Sequence, residues 1–153
     1  MVRLADLPEI EAQHLLDLPC PVYTDSRWTD APAPADRRVA IITSAGLSLK
    51  SDDTFRPGAT DYRVIPADMD SSDLIMSHMS TNYDRSGFQQ DVNVVFPIDR
   101  LREMAEDGAI GSVASFHYSF MGATEPEKLE PKARELAGLL KEDRVNAVLL
   151  TPV

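Results

Sequence analysis

The sequence predicts an α/β fold in three layers, with a mostly parallel sheet of about five strands flanked by helices. Three observations carry this reading. Apolar runs of strand length recur from residue 38 onward. Segments with helical spacing of apolar residues lie between them, and strands alternating with such segments are joined by crossovers into a parallel sheet. The first run, Val39-Ala40-Ile41-Ile42-Thr43, and the last, Ala147-Val148-Leu149-Leu150, are nearly continuous in apolar residues, as strands covered on both faces are.

The chain divides into an arm and Pro-rich linker over 1–37 and an α/β domain over 38–153. In the arm, Leu4, Leu7, Ile10, Leu15 and Leu16 recur at roughly helical spacing, with Pro8 near the start. A short helix or arm packed on the main body is expected. Residues 19–37 hold Pro19, Pro21, Pro32 and Pro34 with Asp25, Asp30 and Asp36, the composition of a linker. Tyr23 and Trp28 are expected to pin it to the surface.

In the domain, 39–43 is the first strand and 47–60 reads as a long loop. Residues 62–65 form a second strand that ends at Pro66. Asp70 is suited to cap a helix running to about residue 80, with Leu74, Ile75, His78 and Met79 on one face. Residues 80–90 are polar loop, and 92–96 is a third strand. Pro97 opens a helix whose buried stripe is Ile98, Leu101, Met104 and Ala105, and Gly108 ends it. A fourth strand covers 110–116. Pro131 interrupts a capping-box-like start at 124–127, so the last helix is placed from there to Lys141, with Ala133, Leu136, Ala137 and Leu140 inward. The fifth strand is 145–150. Ligands in such folds sit beyond the carboxyl ends of the strands.

Composition limits the function classes. The chain has 153 residues, 43% apolar and 26% charged, with a formal net charge of -10. The acidic balance argues against nucleic acid or an anionic membrane as partner. No apolar run approaches the roughly 20 residues that span a bilayer. The N-terminus lacks the apolar core of a secretory signal, so a cytoplasmic location is expected. One cysteine, Cys20, allows neither an internal disulfide nor a Cys-based zinc cluster. None of the seven glycines completes a phosphate-binding motif.

The three histidines, His14, His78 and His117, are too dispersed for a short metal signature, and no metal is expected. His78 admits two readings: a buried, hydrogen-bonded histidine on the apolar helix face, or a site residue facing the polar loop 80–90. His117, in Phe116-His117-Tyr118-Ser119-Phe120, follows the fourth strand, so the carboxyl-end rule brings it near any site; a rim histidine in an aromatic cluster is the alternative. Asp99 suits the first turn of a helix without any function. Asp91 lies at the amino end of its strand, away from the expected site. Arg100 and Arg102 could bind a carboxylate, but solvated helix positions explain them equally. Cys20 has no base or positive neighbour in its sequence context to activate it. Met69, Met76, Met79, Met104 and Met121 read as core or rim filling.

Several segments together resemble the selenoprotein B family of glycine, sarcosine, betaine and D-proline reductases. They are Val39-Ala40-Ile41-Ile42-Thr43-Ser44-Ala45-Gly46-Leu47, Tyr62-Arg63-Val64-Ile65-Pro66, and Ser77-His78 with Asp84. To these are added Asp91-Val92-Asn93-Val94-Val95-Phe96-Pro97-Ile98-Asp99-Arg100-Leu101, Gly108-Ala109-Ile110-Gly111-Ser112-Val113 and His117-Tyr118-Ser119-Phe120-Met121-Gly122. The resemblance covers residues 38–153 and is most specific over 91–101.

The resemblance implies reductive cleavage of a C–N bond in a small amino acid or amine. A selenolate or thiolate would attack the carbon next to the substrate carboxylate and displace nitrogen, and a dithiol or thioredoxin-like reductant would restore the reduced state. In the family the selenocysteine, or a cysteine in its place, directly follows a segment resembling Leu150-Thr151-Pro152-Val153. The redox centre is therefore expected just after Val153, no other cofactor is expected, and reduction is not expected from the chain as given. Two explanations stand: a UGA codon read as selenocysteine after Val153, or a natural short form. The substrate-binding candidates are Ser44, His78, His117, Tyr118 and Ser119.

The alternative to a reductase subunit is a non-catalytic α/β module that binds a small carboxylate or a partner subunit. Its surface would be the loops at 44–47, 66–68, 96–97 and 117–122. A homo-oligomer or partner subunit is expected if the last strand is left exposed. A structural fragment without activity is the third option.

Overall fold

The computed structural model describes residues 3–18, 29–80 and 83–153. Cys20, Tyr23 and Trp28 lie outside the described residues. Helix α1 (Glu9–Leu16) buries no side chain.

The centre of the domain is β1 (Arg38–Thr43), whose Ala40 and Ile41 are fully buried. Beyond it come β2 (Leu47–Leu49), β3 (Tyr62–Pro66), β4 (Leu74–Met76), β5 (Ser112–Val113), β6 (Phe116–Phe120) and β7 (Ala147–Thr151). The helices are α2 (Ser86–Gln90), α3 (Ile98–Glu106) and α4 (Pro126–Glu142).

The main sheet is mixed. β7 lies parallel along one side of β1, with Val39 opposite Ala147 and Thr43 opposite Thr151. On the other side, β5 pairs with the start of β1 and β6 with its end, both parallel. β3 then joins β6 antiparallel, Tyr62 opposite Phe120. β2 and β4 form a separate antiparallel pair.

Two apolar clusters cover the two faces. On one, Tyr118, Phe120 and Leu136 pack with Ile42, Tyr62, Leu129, Leu139 and Leu140, so α4 lies there. On the other, Val39, Ile41 and Ile65 pack with Val95, Phe96, Ile98, Leu101 and Ile110, which brings α3 and the 92–96 segment over the sheet. Alternation along β1 and β6 sends successive side chains to opposite faces. The three-layer α/β expectation holds, and the mostly parallel sheet carries one antiparallel strand, β3, at its edge.

Several elements differ from expectation. Asp70 does cap, accepting from Ser72 N–H at 2.8 Å. The turn it starts is a 3₁₀ turn over Ser71–Asp73, and the chain then extends as β4 against β2. A short apolar run such as Leu74-Ile75-Met76 does not separate helix from strand by spacing, and its partner β2 lies within the predicted 47–60 loop. The predicted strand at 92–96 is a 3₁₀ turn over Val92–Val94. Asp91 accepts from Asn93 N–H at 2.9 Å, and such a side-chain turn competes with a ladder. The single strand expected over 110–116 is two, β5 and β6, and α2 occupies the end of the predicted 80–90 loop. Finally, α4 starts at Pro126 and carries Pro131 inside it.

The segment 91–102 forms a polar clamp. Asn93 Nδ2 donates to Asp91 at 2.9 Å and to Asp99 at 3.0 Å. Asn93 Oδ1 accepts from Asp99 N–H. Arg102 donates to Asp99 at 2.8 Å and to the Ala67 carbonyl. Asp91, Asp99 and Arg102 therefore serve the turn into α3. Arg100 pairs on the surface with Glu103.

A second clamp gathers the amino ends of the strands. Arg38 donates to Asp143 at 2.5 Å, to the Asp143 and Val113 carbonyls, both at 2.7 Å, and to Ser115 Oγ. Burial raises the Asp143 pKa, but hydrogen bonds from Arg38 and Ser115 N–H outweigh it and hold the carboxyl below its usual range. This end of the sheet is closed by internal pairing.

Candidate functional site

β1 ends at Thr43, and the next residues must turn sharply to begin β2. Gly46 makes that turn at φ 64°, a conformation glycine adopts without a Cβ penalty. It also lets the chain pass His78, whose backbone N lies 3.0 Å from where a Gly46 Cβ would stand. Ser77 N–H donates to the Gly46 carbonyl at 2.9 Å. The loop after β4 is thereby tied to the loop after β1, and His78 is carried to the carboxyl ends of the strands.

The same approach is repeated from β6. Gly122 N–H donates to the Ser44 carbonyl at 2.9 Å. A Cβ on Gly122 would lie 2.6 Å from that carbonyl oxygen and 3.0 Å from His78 Nε2, so only glycine fits between them. From β7, Val153 N–H donates to Ser44 Oγ at 2.9 Å, and the Ser44 hydroxyl lies 3.4 Å from the Val153 carbonyl. Ser44, His78, Gly122 and Val153 thus meet where β1, β6 and β7 end. A pocket of about 230 Å³ opens there, lined by His78, Ser80, Tyr83, Gly122, Ala123 and Val153.

His78 is 4% exposed. Its Nδ1 accepts a hydrogen bond from Ser80 N–H at 3.2 Å. Its Nε2 is buried and has no hydrogen-bond partner among the described residues. The Tyr83 ring packs 4.9 Å away, centroid to centroid, and Arg85 donates to the His78 carbonyl. Burial, then the Arg85 charge, lowers the imidazole pKa below its usual value. The ring is neutral at pH 7, and with Nδ1 accepting, the proton resides on Nε2.

The other sequence candidates do not reach this pocket. His117, Tyr118 and Ser119 lie within β6, not after a strand. His117 Nδ1 accepts from Ile41 N–H at 3.0 Å. That amide lies between the part of β1 paired to β5 and the part paired to β6. Ser119 Oγ likewise accepts from Leu47 N–H at 2.8 Å. Tyr118 is turned to the α4 face, its ring edge-on to Tyr62 at 5.6 Å. These three hold the scaffold that carries Ser44 and Gly122. Sequence reasoning missed Tyr83 as a site residue and named Gly122 only within the 117–122 surface of the binding alternative. Gly122 closes the resembling block 117–122, but its close approach to Ser44 and His78 is a tertiary feature.

A larger groove of about 490 Å³ is lined by Leu49, Asp52, Asp53, Asp61, Tyr62, Arg63, Val64 and Pro66. It carries three carboxylates, and its cation, Arg63, is already paired with Asp61 at 2.6 Å. An anionic ligand is disfavoured there. Among the described residues the pocket at His78 has no carboxylate side chain on its wall. Among the described residues no group of three or more His, Cys, Asp or Glu is placed to hold a metal ion, and no helix is long and apolar enough to cross a membrane.

A family profile described as glycine/sarcosine/betaine reductase selenoprotein B matches residues 33–153. The D-proline reductase subunit gamma of Acetoanaerobium sticklandii is 40% identical over 119 residues, which cover 76% of this chain and 48% of that protein. The sarcosine reductase complex component B subunit beta of Peptoclostridium acidaminophilum is 30% identical over 146 residues, 88% of this chain and 32% of the relative. The glycine reductase complex component B subunit gamma of Symbiobacterium thermophilum is 31% identical over 121 residues, 74% of this chain and 28% of the relative. The chain spans about half or less of the length of these relatives. No solved structure matches it.

Proposed function

The chain belongs to the glycine/sarcosine/betaine reductase selenoprotein B family, and from that premise we propose that it serves as a subunit of a multi-component reductase. Its substrate is a small amino acid or amine, bound at the carboxyl ends of β1, β6 and β7. The observation that carries this reading is the convergence of Ser44, His78 and Gly122 on Val153. Family resemblance assigns the redox nucleophile to the position beside Val153, and this is where an α/β sheet usually presents its chemistry.

A selenolate or thiolate held there would supply the nucleophile for C–N cleavage, with a dithiol or thioredoxin-like reductant as electron source. The residues of this chain suit such an anion. Ser44 anchors the β7 end through the Val153 amide. Arg85, bound to the His78 carbonyl, brings positive potential to a chain of net charge -10. Tyr83 and Ala123 supply apolar wall that limits water.

A reporter thiol tests the reading. A cysteine appended after Val153 should be alkylated by iodoacetamide with a pH midpoint below the roughly 8.5 of a free thiol. Glycine, sarcosine, betaine or D-proline should slow the reaction. A midpoint at or above that value, with no protection by any of the four, overturns the assignment.

A further inference from the structure

We propose that His78 recognises the carboxylate of the substrate, donating its Nε2–H to a carboxylate oxygen; this rests on the reading of the pocket given above. Three features of the structure converge on it.

The first is the tautomer. Ser80 N–H occupies Nδ1 as donor, so the neutral ring presents Nε2 as a donor and not as an acceptor. A group that needs a base finds none here, and a group that needs a hydrogen bond finds one.

The second is the orphaned atom. Nε2 is buried without a partner among the described residues, in a side chain held by the Tyr83 ring and the Arg85 contact to its backbone. Buried polar atoms are nearly always satisfied, and an exception calls for a cause. Nε2 faces Gly122, a residue of the pocket wall, at the 3.0 Å distance that a Cβ there would close. Because Nε2 is buried, a carboxylate that reaches it must displace part of the lining, and the Tyr83 ring, 4.9 Å from the imidazole, is the lining side chain packed on it.

The third is charge. Among the described residues no carboxylate side chain lines the pocket, although the chain holds 25 Asp and Glu. Arg85 is the charged group whose field reaches the imidazole. The substrates in the names of the relatives, proline, sarcosine and glycine, share a carboxylate and differ around nitrogen. A donor aimed at the shared group lets one pocket geometry serve all of them.

The test uses the full chain labelled with ¹⁵N. Long-range ¹H–¹⁵N spectra at pH 7 should show His78 as the Nε2–H tautomer. Acetate and betaine should shift its Nε2 resonance, and trimethylamine, which lacks the carboxylate, should not. His78→Phe should weaken betaine binding about ten-fold or more, whereas His78→Gln, which keeps an N–H donor near the same place, should stay within about three-fold. An Nδ1–H or doubly protonated ring, or an Nε2 resonance unmoved at saturating carboxylate, overturns the proposal. If betaine shifts the Ser44, Gly122 and Val153 amides but not His78, the pocket stands and the role of His78 falls. Silence at all four sets both aside.

Discussion

His117 illustrates how a titratable side chain is consumed by a sheet. It is fully buried, and its Nδ1 completes the bonding of Ile41 N–H. Burial above all, with a contribution from Arg102, pushes its pKa from 6.5 down to about 4. The native state therefore refuses a proton that the unfolded chain accepts between those two values. Stability conferred by the neutral ring is complete above pH 6.5 and is lost as pH falls toward 4, by up to about 3 kcal/mol. The depressed pKa of His78 acts in the same direction, while Asp143, held below its usual range, matters only at lower pH. His117→Asn keeps a side-chain acceptor in β6 without the titration, so its thermal midpoint should fall less steeply between pH 6.5 and 4 than that of the wild type. Parallel melting curves would refute the burial argument.

From sequence, His117 and His78 looked alike: each adjoins an apolar run. Each has Nδ1 taken by a backbone amide, and each leaves Nε2 buried without a hydrogen-bond partner among the described residues; what separates them is place, His117 lying inside β6 and His78 on the wall of the pocket. His117 has its acceptor taken by a core amide and faces Phe96 edge-on at 5.5 Å. His78 has its acceptor taken by a loop amide, which leaves its donor toward the pocket. The His117 partner is not a near neighbour that spacing would reveal, since Ile41 lies 76 residues away.

At the level of elements, β1, β7 and α3 were legible because each combines a strong apolar pattern with a clear terminator. The 92–96 segment was not, because Val92-Asn93-Val94-Val95-Phe96 has strand composition while the Asp91 carboxylate folds it into a turn. The break between β5 and β6 was also hidden. It depends on Ser115 being held by Asp143 and by Ala67, whose amide donates to the Ser115 carbonyl.

β7 itself departs from expectation in burial. It reads as a core strand, yet Val148, Leu149 and Leu150 are 42%, 37% and 66% exposed, and β1 is its only ladder partner among the described residues. An apolar strand with a free edge is a template for pairing with another chain. In isolation the chain should self-associate at micromolar to millimolar concentration. Leu150→Lys should return it to monomer with little change in thermal midpoint. A monomeric wild type in sedimentation velocity contradicts the prediction.

The whole molecule has two unlike ends. At the amino ends of the strands, Arg38 and Asp143 close the sheet with internal hydrogen bonds. At the carboxyl ends, two glycines let three loops approach within contact of His78 and Ser44. The sequence announced the general place through the carboxyl-end rule, and the resemblance pointed to the end of the last strand. Ser44 and His78 were named from the sequence, but the parts of Gly46 and Gly122 in bringing the loops together were not, because they act through distances between segments far apart in the chain.

If ligand enters at the Val153 end of the sheet and not at the acidic groove beside Arg63, the two places are told apart by which backbone amides respond to it. Backbone amide shift mapping of the full chain with betaine, and separately with D-proline, tests the place of entry most directly. Perturbations should centre on Ser44, Ser77 to Ser80, Tyr83, Gly122, Ala123 and Val153. Perturbations centred on Asp52, Asp53, Asp61 and Arg63, or none at saturating ligand, would contradict it.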